Sequence, residues 1–301
     1  MLDWNTPKLS DKEWIEKCVK ESQYIGSDAA FANIYLLRSK YNIKVTYYKD
    51  LLIRYYEGLG NRKGYTFPLG RKDVLSALYA IEQDAKEMNR PLEFCFVTEE
   101  QKEILENTFA GRTESSSDAG DYDYIYGQPE LSLLSGRTYH KKKNHVSKFK
   151  RTYEDYMFCE IGNGNLDDVM LIEDEWYYDR LQQDDTSAMK EYEAIREAVD
   201  NFEELSLSGG IIYANNVPVA MTIASYINDA AVDIHFEKAV GEYAVNGGFA
   251  AINQMYASTL KDVKFINREE DINIPGLRKA KESYHPKFML KKYGVSCLLY
   301  T

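Results

Sequence analysis

The sequence predicts an α+β fold with mixed sheets, on three observations. Strand-like runs come in groups joined by hairpin turns. Each group is followed by a stretch with apolar residues at helical spacing, and that stretch by one further compact strand. The order occurs twice along 301 residues, enough chain for two domains. The halves share no residue-level identity, so a duplication is suggested by order alone.

In the first half, Ser10 and Glu13 make a capping-box pattern that starts a helix near residue 10. "IKVTYYKDLLIRYYEG" reads as two strands about a Lys49–Asp50 turn, and "KGYTFPLG" as a third strand. Val74, Leu75, Leu78, Ile81 and Ala85 mark a helix, "PLEFCFV" a buried strand and "TEEQKEILENTF" another helix. In the second half "DDVMLIEDEWYYDRL" and "SAMKEYEAIREAVDNF" are helical, the latter with Met189, Tyr192, Ile195, Val199 and Phe202 on one face. Strands "GGIIYA", "VPVAMTIASYI" and "AAVDIHFEKA" follow, with turns at Asn215–Asn216 and Asn228–Asp229. A helix, "GGFAAINQMYASTL", and a strand, "VKFINR", complete the second half. An abrupt change of composition puts the domain boundary at 136–155, with domains at 1–135 and 156–301 and a basic connecting helix between them.

The net charge of −11 argues against general nucleic-acid or membrane-surface binding but leaves room for one local basic site. Cys18, Cys95, Cys159 and Cys297 are far apart, which suits reduced buried thiols better than a zinc ribbon or redox pair. The first residues are polar and acidic, with no secretory signal, and "PVAMTIASYI" is too short to span a bilayer. A soluble cytoplasmic protein without a transmembrane segment is expected.

Chemistry concentrates in three places. "GRTYHKKKNHVSKFKR" (136–151) holds seven Lys or Arg and no acid. On a helix, Tyr139, Val146, Phe149 and Tyr153 share a stripe, with Lys141, Asn144, Lys148 and Arg151 opposite. The basic face either answers the acids of 164–204 or meets the phosphates of a nucleotide or an RNA. His140 and His145 are five apart, and no metal site is expected there. Gly247 and Gly248 open a helix, where free amides attract anions or tight packing needs glycine. His235 and Glu237 are two apart on a strand, joined by Asp233, so all three are expected on one face, either solvated or lining a cleft. In a cleft, a His–carboxylate pair could move protons near neutral pH. Glu269, Glu270 and Asp271 precede Arg278, Lys279 and Lys281 across a Pro-Gly turn. That division of sign suits a base with a charge clamp, or equally the two ends of a helix starting near Pro275.

On the stretches "FANIYLLRSKYNI", "YTFPLG", "GRTYHKKKNHVSKFK", "IHFEKA" and "INREEDINIPGLRKAKESYHP", the chain resembles uncharacterised bacterial proteins that share the C-terminal domain of phosphatidylglycerol lysyltransferases. The resemblance implies two tandem GNAT-like domains and kinship with Fem-type aminoacyltransferases. It implies amide formation with aminoacyl-tRNA or acyl-CoA as co-substrate and no permanently bound cofactor. The acceptor would be an amine on a small molecule, lipid or peptide. The site would use His235, Glu237, Glu269, Glu270 or Asp271 as base and Tyr284 as proton donor. Gly241, Gly247, Gly248, Arg278 and Lys281 would meet the donor, and Lys141, Asn144, Lys148 and Arg151 a phosphate or tRNA. The loop "AVGEYAVNGG" carries Glu242 where GNAT enzymes usually hold Gln or Arg, which disfavours acyl-CoA. A non-catalytic GNAT-like module that binds a nucleotide or a partner protein is the competing reading.

Overall fold

The computed structural model describes residues 2–181 and 188–298. The chain forms two compact units. One comprises Met1–Tyr124, Glu269–Lys279 and Phe288–Thr301, the other Ile125–Arg268 and Ala280–Lys287.

In the first unit, α1 (Lys12–Ser22) and α2 (Phe31–Leu36) precede β1 (Lys44–Tyr48) and β2 (Leu51–Glu57). Lys49 and Asp50 both adopt positive φ, the geometry of a two-residue hairpin. Next come β3 (Lys63–Thr66), α3 (Leu75–Glu87), β4 (Leu92–Val97), α4 (Glu99–Thr108), β5 (Thr113–Ser117) and β6 (Asp123–Gly127). Thr98 caps α4 in a reciprocal box with Gln101.

The second unit continues with α5 (Gln128–Leu133), α6 (His140–Thr152), β7 (Met157–Glu160), α7 (Leu166–Leu181) and α8 (Ala188–Asp200). The strands β8 (Ser208–Ala214), β9 (Val217–Asn228) and β10 (Ala231–Ala239) are followed by α9 (Gly241–Val245), α10 (Gly248–Thr259) and β11 (Phe265–Asn267). The last elements are α11 (Pro275–Glu282), β12 (Phe288–Leu290) and β13 (Tyr293–Cys297).

The first sheet has the order β1-β2-β3-β4-β13-β5, in which β3 and β4 are parallel and the other pairs antiparallel. In the second unit β6, β11, β10, β9, β8 and β7 are hydrogen-bonded in that order, and β10 and β11 are the parallel pair. Each parallel pair is joined by a crossover helix, α3 or α10, as parallel strands require. Tyr65, Phe94, Leu105 and Phe109 centre the first core. Phe149, Ile212, Ala251 and Ile252 centre the second.

Four local expectations shift. Asp11, rather than Ser10 or Glu13, closes the entry to α1, by accepting the Lys8 N–H after a 3₁₀ turn. The buried face of α8 is Ala188, Ala194, Ile195 and Ala198, and Met189 is exposed; small residues let the helix lie close on its neighbours. Ser187, at the expected start of that helix, lies outside the described residues. Asn228 stays in β9, its side chain accepting the Ala230 N–H, so the turn falls at 229–230. The stretch 136–155 marks a change of charge rather than a gap in packing. Val146, Phe149 and Tyr153 are buried within the second unit, while β13, Tyr293–Cys297, pairs between β4 and β5 and so belongs to the first.

Candidate functional site in the second unit

Parallel pairing of β10 with β11 lasts three residues, Ala231–Asp233 against Phe265–Asn267. β10 then continues to Ala239 without β11. The carboxyl ends of parallel strands are where open α/β sheets leave a crevice for ligands. A bulge at His235 divides the polar residues of β10. Asp233 lies opposite Ser225 and Glu237 opposite Thr222, three apart on β9, so the register places Asp233 and Glu237 on opposite faces. The expected single face of three polar residues is therefore not formed.

On one face His235 Nε2 meets Ser225 Oγ at 2.8 Å, and Nδ1 lies 3.4 Å from Asp233 Oδ2. On the other, Glu237 is held from two sides. Arg268 Nη2 donates to Oε1 at 2.7 Å, and Asn253 Nδ2, from α10, donates to Oε2 at 3.1 Å. The Arg268 guanidinium lies 4.7 Å from the centre of the Tyr284 ring, and Lys142 Nζ lies 3.8 Å from the same centre. Lys281 Nζ donates to the Arg268 carbonyl, and the Lys281 carbonyl accepts the Tyr126 hydroxyl.

The pKa shifts follow from burial. Desolvation, then Arg268, lowers Lys142 to about 8, against the pull of Glu237. Desolvation raises Tyr284 to about 12, partly offset by Arg268. Glu237, Arg268, Lys142 and Tyr284 thus gather an acceptor, two cations and a hydroxyl that stays protonated at neutral pH. Lys142, Asn253 and Arg268 were not singled out from sequence. The signal for Lys142 was present, because it shares a helix face with Val146 and Phe149 at i, i+4 and i+7.

The outer face of α6 is as expected: Lys141, Asn144, Lys148 and Arg151 are exposed. Among the described residues no carboxylate pairs with Lys141, Lys148 or Arg151; Lys148 reaches only the Val245 carbonyl, at 3.5 Å. Among the described residues the acids of 164–204 do not answer this face. Gly247 has φ +103°, and a Cβ there would sit 2.4 Å from the His145 carbonyl. At Gly248 a Cβ would meet the Tyr243 carbonyl at 2.8 Å. Both glycines therefore admit close backbone approach. Gly241 also has positive φ, and the Glu242 carboxylate accepts the Tyr153 hydroxyl.

Glu269, Glu270, Asp271 and Arg278 belong to the first unit, Lys281 and Tyr284 to the second. Asp271 is fully buried and clamped by Arg278; Glu270 pairs with Arg62 at 2.8 Å, and Glu269 accepts from Asn33 at 2.9 Å. Glu269, Glu270, Arg62 and Asn33 border a cavity of about 60 Å³ that also touches Asp28 and Lys292, and Asp271 and Arg278 do not line it. Asp28, Arg54, Asp123 and Lys292 form a buried ionic network that sequence reasoning missed. Its one signal was a lone arginine inside the apolar run "LLIRYYE". A larger cavity, about 550 Å³, is lined by Phe67–Gly70 and Thr98–Gln101, just beyond β3 and β4. No helix among the described residues is long and apolar enough to cross a membrane.

Residues 20–296 match the family described as phosphatidylglycerol lysyltransferase, C-terminal, and the chain belongs to that family. A conserved protein of unknown function from Bacteroides thetaiotaomicron VPI-5482 is 30% identical, with 99% of this chain and 100% of that one covered and a TM-score of 0.93. L-PGS from Bacillus licheniformis shares the fold at 14% identity, with 97% and 93% covered and a TM-score of 0.67. FemX does so at 8%, with 99% and 98% covered and a TM-score of 0.61. No curated protein matches. The fold is thus α+β, two tandem GNAT-like domains, each a mixed sheet flanked by helices.

Proposed function

We propose that this chain is an aminoacyl- or acyl-transferase that forms an amide bond, with aminoacyl-tRNA favoured over acyl-CoA as donor. The observation that carries this reading is the two-sided helix α6. One face sends Lys142 to the Glu237–Arg268–Tyr284 cluster, and the other offers Lys141, Lys148 and Arg151 to solvent with no acidic partner among the described residues. A polyanionic donor can be gripped outside while its reactive end enters the crevice. Glu242 and the packed glycines leave the usual donor loop poorly suited to a pyrophosphate. A family described as a lysyltransferase agrees with an aminoacyl donor.

The acceptor amine, on a small molecule, lipid or peptide, attacks the ester carbonyl and Glu237 takes its proton. Tyr284 donates to the departing ribose oxygen and regains a proton by way of Glu237. His235, seated between Asp233 and Ser225, is the second candidate for base. Asp271 fits an anchoring role, since Arg278, Tyr124 and the Asn273 amide fill its oxygens.

The test is binding and turnover with an aminoacyl-tRNA pool and, separately, acyl-CoA. The expected result is stabilisation by tRNA that weakens steeply with salt and is lost in Lys141→Glu/Lys148→Glu, with consumption of the aminoacyl ester once an amine is supplied. Stabilisation by acyl-CoA alone would change the donor. A response to neither would leave the binding-module reading in its place.

A further inference from the structure

We infer that the first unit carries a binding site for a short peptide with free ends, on the open edge of β1 at Tyr47. β1 is the outermost strand of its sheet. Val45 exchanges both backbone hydrogen bonds with Asn5: the Asn5 N–H donates at 2.9 Å and the Val45 N–H at 2.8 Å. The N-terminal segment thus lies on this edge as a short piece of antiparallel ladder. Tyr47 is two residues further along and turns its N–H and C=O to the same edge. Its cross-strand partner Leu52 exchanges its own bonds with Leu69, at 2.8 Å and 2.9 Å, so Tyr47 and Leu52 form a non-hydrogen-bonded pair. A ladder continued from Asn5 would set Asp3 opposite Tyr47. The chain leaves the edge instead, and the Leu2 N–H goes to Asp84 Oδ1 at 3.1 Å. Among the described residues the N–H and C=O of Tyr47 have no partner.

A cavity of about 290 Å³ lies against this edge, with Asp3, Lys8, Asp11, Trp14 and Tyr47 in its wall. Trp14 meets Tyr47 edge-on, with ring centres 5.2 Å apart. Asp11 is already committed, accepting the Trp14 indole N–H at 3.2 Å and the Lys8 N–H at 2.8 Å. Asp3 and Lys8 are exposed, of opposite sign, and make no ion pair among the described residues. A free-ended peptide answers each of these groups. Its backbone offers a donor and an acceptor to the Tyr47 pair, as Asn5 does to Val45, and its ammonium and carboxylate suit Asp3 and Lys8. The cavity is near the lower end of small-molecule pockets, which limits the ligand to about two or three residues. Between the Asn5 bridge and the Lys49–Asp50 turn only Tyr47 is open on β1, so another sheet would gain a single rung there. The Tyr47 groups are solvated when the edge is empty. Each new bond adds only its small net worth, and the affinity should be about millimolar.

The experiment titrates the intact, isotope-labelled chain with the dipeptide Val-Val, with its analogue methylated on the peptide nitrogen, and with N-acetyl-Val-Val-amide, followed by backbone amide NMR shifts. The expected result is a saturable downfield shift of the Tyr47 amide with Val-Val. The methylated analogue, which lacks the N–H for the Tyr47 carbonyl, should bind about fivefold more weakly, the equivalent of one net hydrogen bond. Tyr47→Pro removes the protein's donor at an edge position where proline is tolerated, and should lose binding; Tyr47→Val keeps the donor and should retain it. If Tyr47→Pro melts far below the parent, the methylated analogue decides alone. Asp3→Asn with Lys8→Met should bind Val-Val no better than the capped peptide. No saturable shift, saturation that leaves the Tyr47 amide unmoved, or equal binding of Val-Val and its methylated analogue overturns the site. A capped peptide that binds the parent as well as Val-Val does overturns the free-ended ligand. None of these readouts involves turnover, so the transferase reading stands or falls separately.

Discussion

Arg278 grips Asp271 through two parallel hydrogen bonds, Nε to Oδ2 at 2.7 Å and Nη2 to Oδ1 at 2.9 Å. Tyr124 Oη and the Asn273 amide donate to the same carboxylate. The loop groups its charges by sign because one acid folds back onto a base seven residues later. Burial alone would raise the carboxyl pKa, but the bonds from Arg278, Tyr124 and Asn273 outweigh it and hold the value below the ordinary one. The stabilisation is thus complete above the unfolded pKa, about 3.9, and is lost as pH falls through the folded value. Asp271→Asn should cost about 2 kcal/mol at pH 7, in the range of hydrogen bonds to charged groups. Urea midpoints should show that gap narrowing below about pH 4; a gap of constant size down to pH 2 would reject the account.

Lys292 Nζ lies 2.7 Å from Asp123 and 3.1 Å from Asp28, with all three side chains nearly inaccessible. Arg54 holds the other oxygen of Asp28 at 3.0 Å. Removing one partner of such a network leaves an unbalanced buried charge, so Lys292→Met should destabilise by about 3–5 kcal/mol. Adding Asp123→Asn should recover part of the loss, because the two changes share one interaction. Strictly additive losses in a double-mutant cycle would show that Lys292 and Asp123 are not coupled.

Gly247 and Gly276 should respond oppositely to alanine. At Gly247 the left-handed backbone and the His145 carbonyl both exclude a Cβ, so Gly247→Ala should cost at least about 2 kcal/mol. At Gly276, in α11, nothing lies within 4 Å of the added carbon, and Gly276→Ala should gain about 0.5 kcal/mol from helix propensity. Thermal melts of the two variants decide between packing and mere sequence habit.

The legible parts of this fold were those set by local chemistry. The Asn215–Asn216 turn, and Asp50 in the Lys49–Asp50 turn, announce their positive φ through residue type, and α6 shows both faces in its spacing. Less legible were β5 and β7. "TESSS" is polar and mostly exposed, and "MFCE" has no alternation; pairing with β13 and β8 makes them strands. The bulge at His235 depends on register against β9, which no count along β10 reveals. Asp28, Arg54, Asp123 and Lys292 come from four distant stretches, so their network exists only once the first unit folds.

If the crevice is the site of transfer, Glu237→Gln should lower turnover by about 10²–10⁴-fold, the usual contribution of a positioned base. Arg268 can still donate to the amide oxygen, and Asn253 can turn its own amide so that Oδ1 accepts from the new NH2, so the fold should survive. Tyr284→Phe should reduce kcat with little change in KM. Because the Tyr284 pKa is near 12, that loss should be the same from pH 6 to pH 9. Wild-type turnover in both variants would remove the cluster from the chemistry.

Glu173, in α7, is fully inaccessible, and among the described residues neither carboxylate oxygen has a hydrogen-bond partner. Desolvation raises its pKa to about 7; Glu191 and Asp174 add to the rise, and Lys238 opposes it. The folded state then holds a proton that the unfolded chain releases near pH 4.3. Between those values the native state binds more protons, so stability falls as pH rises, and the loss is complete above about pH 7. Glu173→Gln removes the ionisation without removing volume. It should stabilise the protein by about 4 kcal/mol at most at pH 8 and have little effect at pH 4. Denaturant titrations at the two pH values test the sign, and a variant less stable than the parent at pH 8 would mean that Lys238 keeps Glu173 ionised in the folded chain.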